Sequence, residues 1–122
     1  MLKNIKNLLL DQKLVSGLGN IYVNEILFQA KINPFKKSYL INLEENKRIV
    51  KYSKIILKKA IDFGGSSIRD FKGITGKSGN FQSEFKVYDR TKMRCSRNNC
   101  SGQISRKIIS NRSTFICSVC QK

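Results

Sequence analysis

Apolar residues recur at helical spacing in the first third of the chain. The stretch "NIKNLLLD" at residues 4–11 is long enough for a short helix, and the glycines of the following "KLVSGLGN" would break it. A second helix is predicted to begin at Asn20, which is a good N-cap residue for the apolar-rich "IYVNEILFQA" behind it. Pro34, in "KINPFKK", predicts the end of that helix.

A third, longer helix is predicted for residues 43–63, "LEENKRIVKYSKIILKKAIDF". Its apolar stripe is predicted from seven residues at helical spacing: Leu43, Ile49, Val50, Ile56, Leu57, Ala60 and Ile61. The remaining positions carry six cations, and such a run is more often a solvated face than a binding face: Lys47, Arg48, Lys51, Lys54, Lys58 and Lys59.

The pattern changes after Gly64 and Gly65, which are predicted to end the third helix. Gly, Ser and Thr dominate the next stretch, which predicts a mobile linker and a domain boundary. Beyond it "SEFKVYD" alternates like a strand, and "QISRKII" with "RSTFICS" predicts a hairpin that turns at Ser110 and Asn111. The sequence thus predicts an α+β fold, mainly α, with a helical domain at 1–65, a linker at 66–83 and a small domain at 84–122.

Charge narrows the class of partner. The 122 residues include 24 Lys and Arg against 8 Asp and Glu, a net charge of +16, while 40% of the residues are apolar. This combination indicates a folded module with a cationic face, for which nucleic acid is a better partner than a membrane surface. We find no apolar run long enough to span a bilayer and no signal peptide, so we expect a cytoplasmic protein. The chain is too short for a large enzyme core.

All four cysteines lie in the last 28 residues, as Cys95-x4-Cys100 and Cys117-x2-Cys120. Two disulfides are the alternative to a metal, but a reducing cytoplasm and the paired spacing favour one tetrahedral zinc ion. Four protein ligands leave no open position, so the zinc is expected to be structural. Four nearby cations are expected to lower the pKa of the thiols: Lys92, Arg94, Arg97 and Arg106.

Two further positions are candidate anion sites. Arg112 directly follows the predicted hairpin turn, from which a guanidinium can bind a phosphate with two parallel hydrogen bonds. Asn20 lies where a Gly-rich turn runs into a helix N-terminus, whose free N–H groups favour anions. The alternatives are an arginine that is merely solvated and an asparagine that only caps the helix.

Four ordered motifs resemble one family over nearly the whole chain: "LLDQKLVSGLGNIYVNEILFQAKINP", "GGSSIRDF", "GNFQSEFKVYDR" and "RSTFICSVCQK". The chain resembles the C-terminal half of a bacterial formamidopyrimidine-DNA glycosylase. The resemblance implies a helix-two-turn-helix module followed by a zinc finger, which together grip the DNA backbone around an extruded, oxidised purine.

The resemblance also implies roles for individual residues. Lys6 and Asn20 match phosphate contacts of the helical module, and Arg112 matches the zinc-finger arginine that holds phosphates beside the lesion. Arg69 stands where the family commonly has a basic residue in the loop that closes over the flipped base. Ser66 and Ser67 are further candidates in that lesion loop, whose alternative is an ordinary flexible linker.

The chain departs from the family pattern in two ways. The first cysteine pair has four intervening residues where many relatives have two, a spacing that zinc tolerates. The family's nucleophile is an N-terminal proline amine next to a glutamate, whereas this chain begins Met1-Leu2 and its one proline, Pro34, is internal. We therefore assign no catalytic residue and expect the chain to be inactive without a separate N-terminal half.

The expected partner is double-stranded, damaged DNA, bound by a monomer in the nucleoid of a bacterial cytoplasm. A DNA-clamping part of a base-excision-repair glycosylase and abasic-site lyase is the preferred interpretation. The alternatives are a stand-alone, non-catalytic zinc-containing DNA-binding module and a generic zinc ribbon of the transcription or translation machinery.

Overall fold

The computed structural model describes residues 4–11, 19–62 and 85–121. Within these ranges the chain forms helices α1 (Ile5–Leu10), α2 (Asn20–Gln29) and α3 (Leu43–Asp62), a 3₁₀ turn at Ser38–Leu40, and strands β1 (Ile104–Ile109) and β2 (Arg112–Cys117). We call α1 to α3 the helical unit and residues 85–121 the cysteine unit. The predicted α+β class, mainly helical with a small hairpin, is confirmed. The domain limits stay a prediction, and the predicted linker lies outside the described residues.

Helix α2 lies at the centre of the helical unit. Every side chain from Ile21 to Phe28 is buried, because α1, α3 and β2 all pack against this helix. The predicted start of α2 is correct, but the predicted cap is wrong: Gly19 occupies the N-cap position and Asn20 is the first helical residue. The Asn20 amide is thereby free to bond elsewhere. The helix ends before Lys31, whose φ of 62° is left-handed.

The predicted apolar stripe of α3 is only partly correct. Ile49 is buried, and Ile56 and Leu57 pack against the core, but Leu43 and Val50 are 69% and 53% exposed. The side chains of Ala60 and Ile61 lie outside those described.

The start of α3 explains the difference. Asn42 and Glu45 form a capping box, in which Glu45 N donates to Asn42 Oδ1 (2.8 Å) and Asn42 N donates to Glu45 Oε1 (3.0 Å). The buried Glu45 also pairs with Lys36 Nζ at 2.8 Å. Since this ion pair turns Glu45 inward, Leu43, two positions earlier, points away from the core.

The cysteine unit is built on the predicted hairpin. Strands β1 and β2 are antiparallel, with Ile104 opposite Cys117 and Ile109 opposite Arg112. Ser110 and Asn111 form the two-residue turn between them, with left-handed φ values of 48° and 66°. Two positive φ angles match the right-handed twist of the strands, so the predicted turn is confirmed.

The segment "SEFKVYD" is not a strand in its described part, residues 85–89. The backbone N–H groups of Lys86, Val87 and Tyr88 donate to the carboxylate of Glu25 on α2, at 2.7, 3.0 and 2.8 Å. Because these donors serve one side chain, they are not available to a strand ladder. The alternation reflects burial of Phe85 and Val87 against the two units.

No helix in the described ranges is both long and apolar enough to cross a bilayer.

Candidate metal centre and nucleic-acid interface

The four cysteine sulfurs converge on one point. All the Sγ atoms lie within 4.8 Å of one another, with Cys95 to Cys120 at 3.8 Å and Cys100 to Cys117 at 3.7 Å. A zinc ion with Zn–S bonds of about 2.3 Å requires sulfurs about 3.8 Å apart at the corners of a tetrahedron. Disulfide sulfurs are about 2.05 Å apart. The cluster therefore fits a metal ion and not two disulfides.

Tight turns bring the first pair of cysteines into place. Cys95 N donates to Gly102 O at 2.9 Å, and Cys100 N donates to Arg97 O at 3.3 Å. Asn99 adopts a left-handed φ of 67°, which lets the longer four-residue spacer fold back. At Gly102 a Cβ atom would lie 2.5 Å from Cys117 Sγ, so the sulfur cluster leaves no room for a side chain there.

The predicted effect of cations on the thiols is wrong for two of the four cysteines. Burial raises the pKa of Cys95, and it raises the pKa of Cys120 to about 12, although the charge of Arg97 acts in the opposite direction. For Cys117 burial also acts upward, but hydrogen bonds from the backbone N–H groups of Cys120 and Val119 and from the thiols of Cys120 and Cys100 together outweigh it, and its pKa lies below the ordinary value. Desolvation thus dominates where a cation was expected to dominate.

Of the four cations expected near the thiols, Arg97 bonds to a cysteine sulfur and the other three are exposed. Arg97 Nη1 donates to Cys120 Sγ at 2.8 Å. Lys92, Arg94 and Arg106 are exposed, and Arg106 Nε donates to Ser113 Oγ at 2.9 Å.

Two residues next to the cysteines connect this cluster to the C-terminal end of α2. The Arg97 guanidinium donates to Phe28 O and Gln29 O and lies 4.0 Å from the centre of the Phe28 ring. Gln121 is fully buried, donates to Ile32 O at 3.0 Å and accepts from Cys117 N at 2.9 Å. From the sequence, Arg97 was expected only to change the pKa of the thiols, and Gln121 was missed. The one sequence feature that could have identified Gln121 is its position directly after the candidate ligand Cys120.

Helix α1 and the N-terminal end of α2 together hold the tip of the hairpin. Lys6 Nζ, Asn20 Nδ2 and Asn24 Nδ2 all donate to Ser113 O, at 3.2, 3.1 and 3.4 Å. Lys6 Nζ also donates to Thr114 Oγ1 at 2.8 Å. We call these bonds the tip contacts. They bring Lys6 and Asn20 to the residue next to Arg112, so three residues singled out separately in the sequence lie at one place.

Asn24 was not identified as a functional residue in the sequence analysis. Besides its contact with Ser113, it accepts a hydrogen bond from Phe115 N at 2.9 Å, and it is 2% exposed. The available signal was a polar pair, Asn24 and Glu25, inside the otherwise apolar "IYVNEILF". Both members bind backbone of the cysteine unit.

The tip contacts bring two cations, Lys6 and Arg112, close together. Burial and the charge of Arg112 lower the pKa of Lys6 from its ordinary value of 10.5 to about 8. Arg112 is exposed, and Asn20 Oδ1 is buried without a hydrogen-bond partner among the described residues. Two neighbouring cations repel each other, and an anion between them would relieve that repulsion. Arg69, Ser66 and Ser67 lie outside the described residues.

Known proteins that are similar to this chain come from the family that its motifs resemble. Residues 1–72 match the family described as the formamidopyrimidine-DNA glycosylase H2TH domain. The chain is 48% identical over 118 residues to the formamidopyrimidine-DNA glycosylase of Roseobacter denitrificans, covering 97% of the chain and 42% of that protein. It is 42% identical over 120 residues to that of Prochlorococcus marinus, covering 98% of the chain and 40% of the relative.

Solved structures give a similar result. A complex of the Lactococcus lactis Fpg with abasic-site DNA has a TM-score of 0.84 and 42% identity, over 98% of this chain and 42% of that chain. A complex of MutM with DNA containing carbocyclic 8-oxo-G has a TM-score of 0.83 and 39% identity, over 98% and 41%. The chain thus spans about two fifths of these relatives. The matched family covers more than half of the chain, and the chain belongs to the formamidopyrimidine-DNA glycosylase H2TH-domain family.

Proposed function

We propose that this chain binds damaged double-stranded DNA, as the DNA-gripping part of a base-excision-repair glycosylase and abasic-site lyase that acts on oxidised purines. The observation that carries the proposal is the meeting of Lys6, Asn20 and Arg112 at the hairpin tip. Residues from a helical module and from a cysteine-held hairpin there form one cationic site, and the tip belongs to a chain of net charge +16. A phosphate diester is the ligand of matching charge and size.

Arg112 is the residue of this site that reaches solvent. Its planar fork suits two phosphate oxygens, while Lys6 and Asn20 hold the backbone of Ser113 and so fix the direction of the neighbouring Arg112. These contacts carry no base information, so they position the protein on DNA without reading sequence.

The metal of the cysteine cluster is proposed to be a single zinc ion. Four thiol ligands in a tetrahedron suit zinc, and they leave no position at which a water or substrate could bind. When bound, the ion would cross-link a unit whose own apolar cluster is small and would act structurally. Its contribution to DNA binding is then indirect, because it holds the hairpin that carries Arg112.

The preference for damaged DNA is supported by the relatives, whose solved complexes are named for abasic-site, 8-oxo-G and Fapy-dG DNA. Lesion binding by this chain is therefore part of the proposal. Glycosylase and lyase chemistry is assigned to no residue of this chain, which spans about two fifths of these relatives.

The phosphate role is tested with Arg112→Ala against Lys107→Ala, which removes an equal charge from an exposed position of the same hairpin. Fluorescence anisotropy with a short duplex, measured across a salt series, should show binding about 10- to 100-fold weaker for Arg112→Ala on every sequence, because a charge-assisted bond is lost. The salt slope should fall by about one. Lys107→Ala should change affinity by less than about threefold. Equal effects of the two substitutions would refute the assigned site.

The lesion role is tested with duplexes that are identical except for one abasic-site analogue or one 8-oxoguanine. Tighter binding to the damaged duplexes is expected, since an already weakened base stack bends at lower cost. Equal affinity for damaged and undamaged DNA would refute the proposed lesion preference and leave the phosphate contacts as the proposed function of the site. Borohydride trapping on the same duplexes should give no lesion-dependent product with this chain alone.

A further inference from the structure

Arg97 makes four contacts that no part of the proposed function uses. One guanidinium nitrogen donates to the Cys120 sulfur, and the other donates to the backbone oxygens of Phe28 and Gln29. The central guanidinium carbon lies 4.0 Å from the centre of the Phe28 ring. Arg97 sits in the four-residue spacer between two candidate ligands and contacts a third. It reaches from the sulfur cluster to a helix of the other unit.

The charges on the two sides of Arg97 are both negative. Phe28 and Gln29 close α2, and the last carbonyls of a helix carry the negative end of its dipole. Four thiolates around a divalent zinc ion leave a net charge of −2 on the opposite side. A guanidinium between them offsets part of both charges and makes a cation–π contact with the Phe28 ring.

We propose that Arg97 is a positioning residue that couples the metal centre to the C-terminal end of α2. The proposal rests on the proposed function in one respect, since it takes the bound zinc as given. Arg97 stabilises the metal-bound cluster by binding a ligand sulfur, and the same bonds hold α2 against the cysteine unit. Hydrogen-bonded neighbours of metal ligands commonly change metal affinity 10- to 100-fold when they are removed.

The arrangement has a consequence for the hairpin tip. The N-terminal half of α2 carries Asn20 and Asn24, which hold Ser113, while its C-terminal end is held by Arg97. Helix α2 is thus attached to the cysteine unit at both ends. Loss of the Arg97 contacts would leave α2 held to the cysteine unit by the tip contacts and by the bonds that Asn24 and Glu25 accept from backbone N–H groups.

The test compares zinc-loaded wild type with Arg97→Met, Arg97→Lys and the control Arg94→Met, which removes an equal charge from an exposed position beside Cys95. Two quantities are measured on each protein. One is the rate of zinc release to an excess of a chromogenic chelator. The other is hydrogen exchange at the amides of Ala30, Lys31 and Ile32, which bond to carbonyls of α2.

Arg97→Met should release zinc about tenfold faster or more and lose protection at these three amides. Arg97→Lys, which keeps the charge but cannot span both sides, should recover only part of each effect, and it serves as the folded comparison if the Met variant does not fold. Arg94→Met should stay within about twofold of wild type.

Unchanged zinc release in Arg97→Met and Arg97→Lys would overturn the coupling while leaving the metal site intact. Full recovery by lysine would overturn it as well, since charge alone would then suffice. Faster exchange without faster zinc release would mean that Arg97 only packs against α2. A wild-type protein found without zinc by native mass spectrometry would instead refute the proposed metal itself.

Discussion

The two units of this protein are held together by different interactions. The helical unit has an apolar core, in which Ile5, Val23, Ile26 and Ile49 pack between three helices. The cysteine unit has a smaller cluster in which the thiols of candidate metal ligands are themselves part of the core. The first unit is therefore specified mainly by the order of apolar residues, whereas the second depends on the positions of four sulfur atoms.

The junction between the units depends on a third kind of interaction, hydrogen bonds from side chains to backbone groups. Buried polar side chains of α1 and α2 bind backbone groups of the cysteine unit, through Lys6, Asn24 and Glu25. Backbone groups have fixed directions, so such bonds set the orientation of one unit on the other more narrowly than apolar packing does. Orientation matters here because the candidate DNA-binding residues come from both sides.

The largest expected effect tests the dependence of the cysteine unit on its metal. Cys117→Ser should abolish stoichiometric zinc binding in native mass spectra and unfold the hairpin, because structural zinc contributes on the order of 10 kcal/mol to folding in small domains. The helical unit should keep its helical circular dichroism. Ser118→Ala, exposed between the ligands Cys117 and Cys120, is the control and should retain zinc. Loss of the helical signal together with the metal would show that the two units are not separable.

The next effect concerns the helical unit alone. Ile49→Ala should lower the free energy of unfolding by about 2–4 kcal/mol, since it leaves a cavity against α2. Val50→Ala, next to it on α3 but 53% exposed, should cost less than about 1 kcal/mol. Urea denaturation followed by circular dichroism measures both. Equal losses would mean that Val50 packs against the core as Ile49 does.

A smaller effect is expected at the junction. Asn24→Ala removes the acceptor of the buried Phe115 N–H group, which should cost about 1–3 kcal/mol. Asn46→Ala, an exposed asparagine on α3, should be nearly neutral. Thermal melts monitored by Tm provide the comparison. If Asn24→Ala were as mild as the control, apolar contacts and not polar ones would join the units.

The smallest effect is a pH dependence of DNA binding. In the protein without DNA, Lys6 has a pKa of about 8, and only its charged form attracts phosphate. Such a group is about nine-tenths protonated at pH 7 and about one-tenth at pH 9, so affinity should fall by up to about tenfold between these values. The chain has no histidine to titrate in the same range. Lys6→Gln should bind more weakly at pH 7 and show a flatter profile, and a profile like that of wild type would exclude Lys6.

Local features of the fold could be predicted from the sequence. The turn at Ser110 and Asn111, the short helix before Asp11 and the cysteine spacing each depend on residues a few positions apart. Helix α2 also begins where its first residues indicate. Asn20 does not cap it, because the N-cap position falls on Gly19, and the Asn20 amide nitrogen instead bonds to a residue 93 positions away.

Features that depend on distant partners could not be predicted. The buried face of α3 was only partly predicted, because periodicity alone placed Leu43 and Val50 in one stripe with Ile49. The ion pair between Lys36 and Glu45 turns Glu45 inward and leaves Leu43 exposed. The strand expected at "SEFKVYD" fails because Glu25, 61 to 63 residues earlier, binds its N–H groups. Lys6 and Arg112 were each identified, but their proximity was visible only in three dimensions.

The three hydrogen bonds of Glu25 also bear on how the chain folds. They close a loop of about 60 residues, whereas the paired strands of the hairpin are joined by two. Short loops close at lower entropic cost, so each unit is expected to form early and to dock on the other late. Glu25→Gln should then accelerate unfolding and leave the refolding rate almost unchanged, as stopped-flow measurements would show. The orientation of the two units would be the last property of the native state to be acquired.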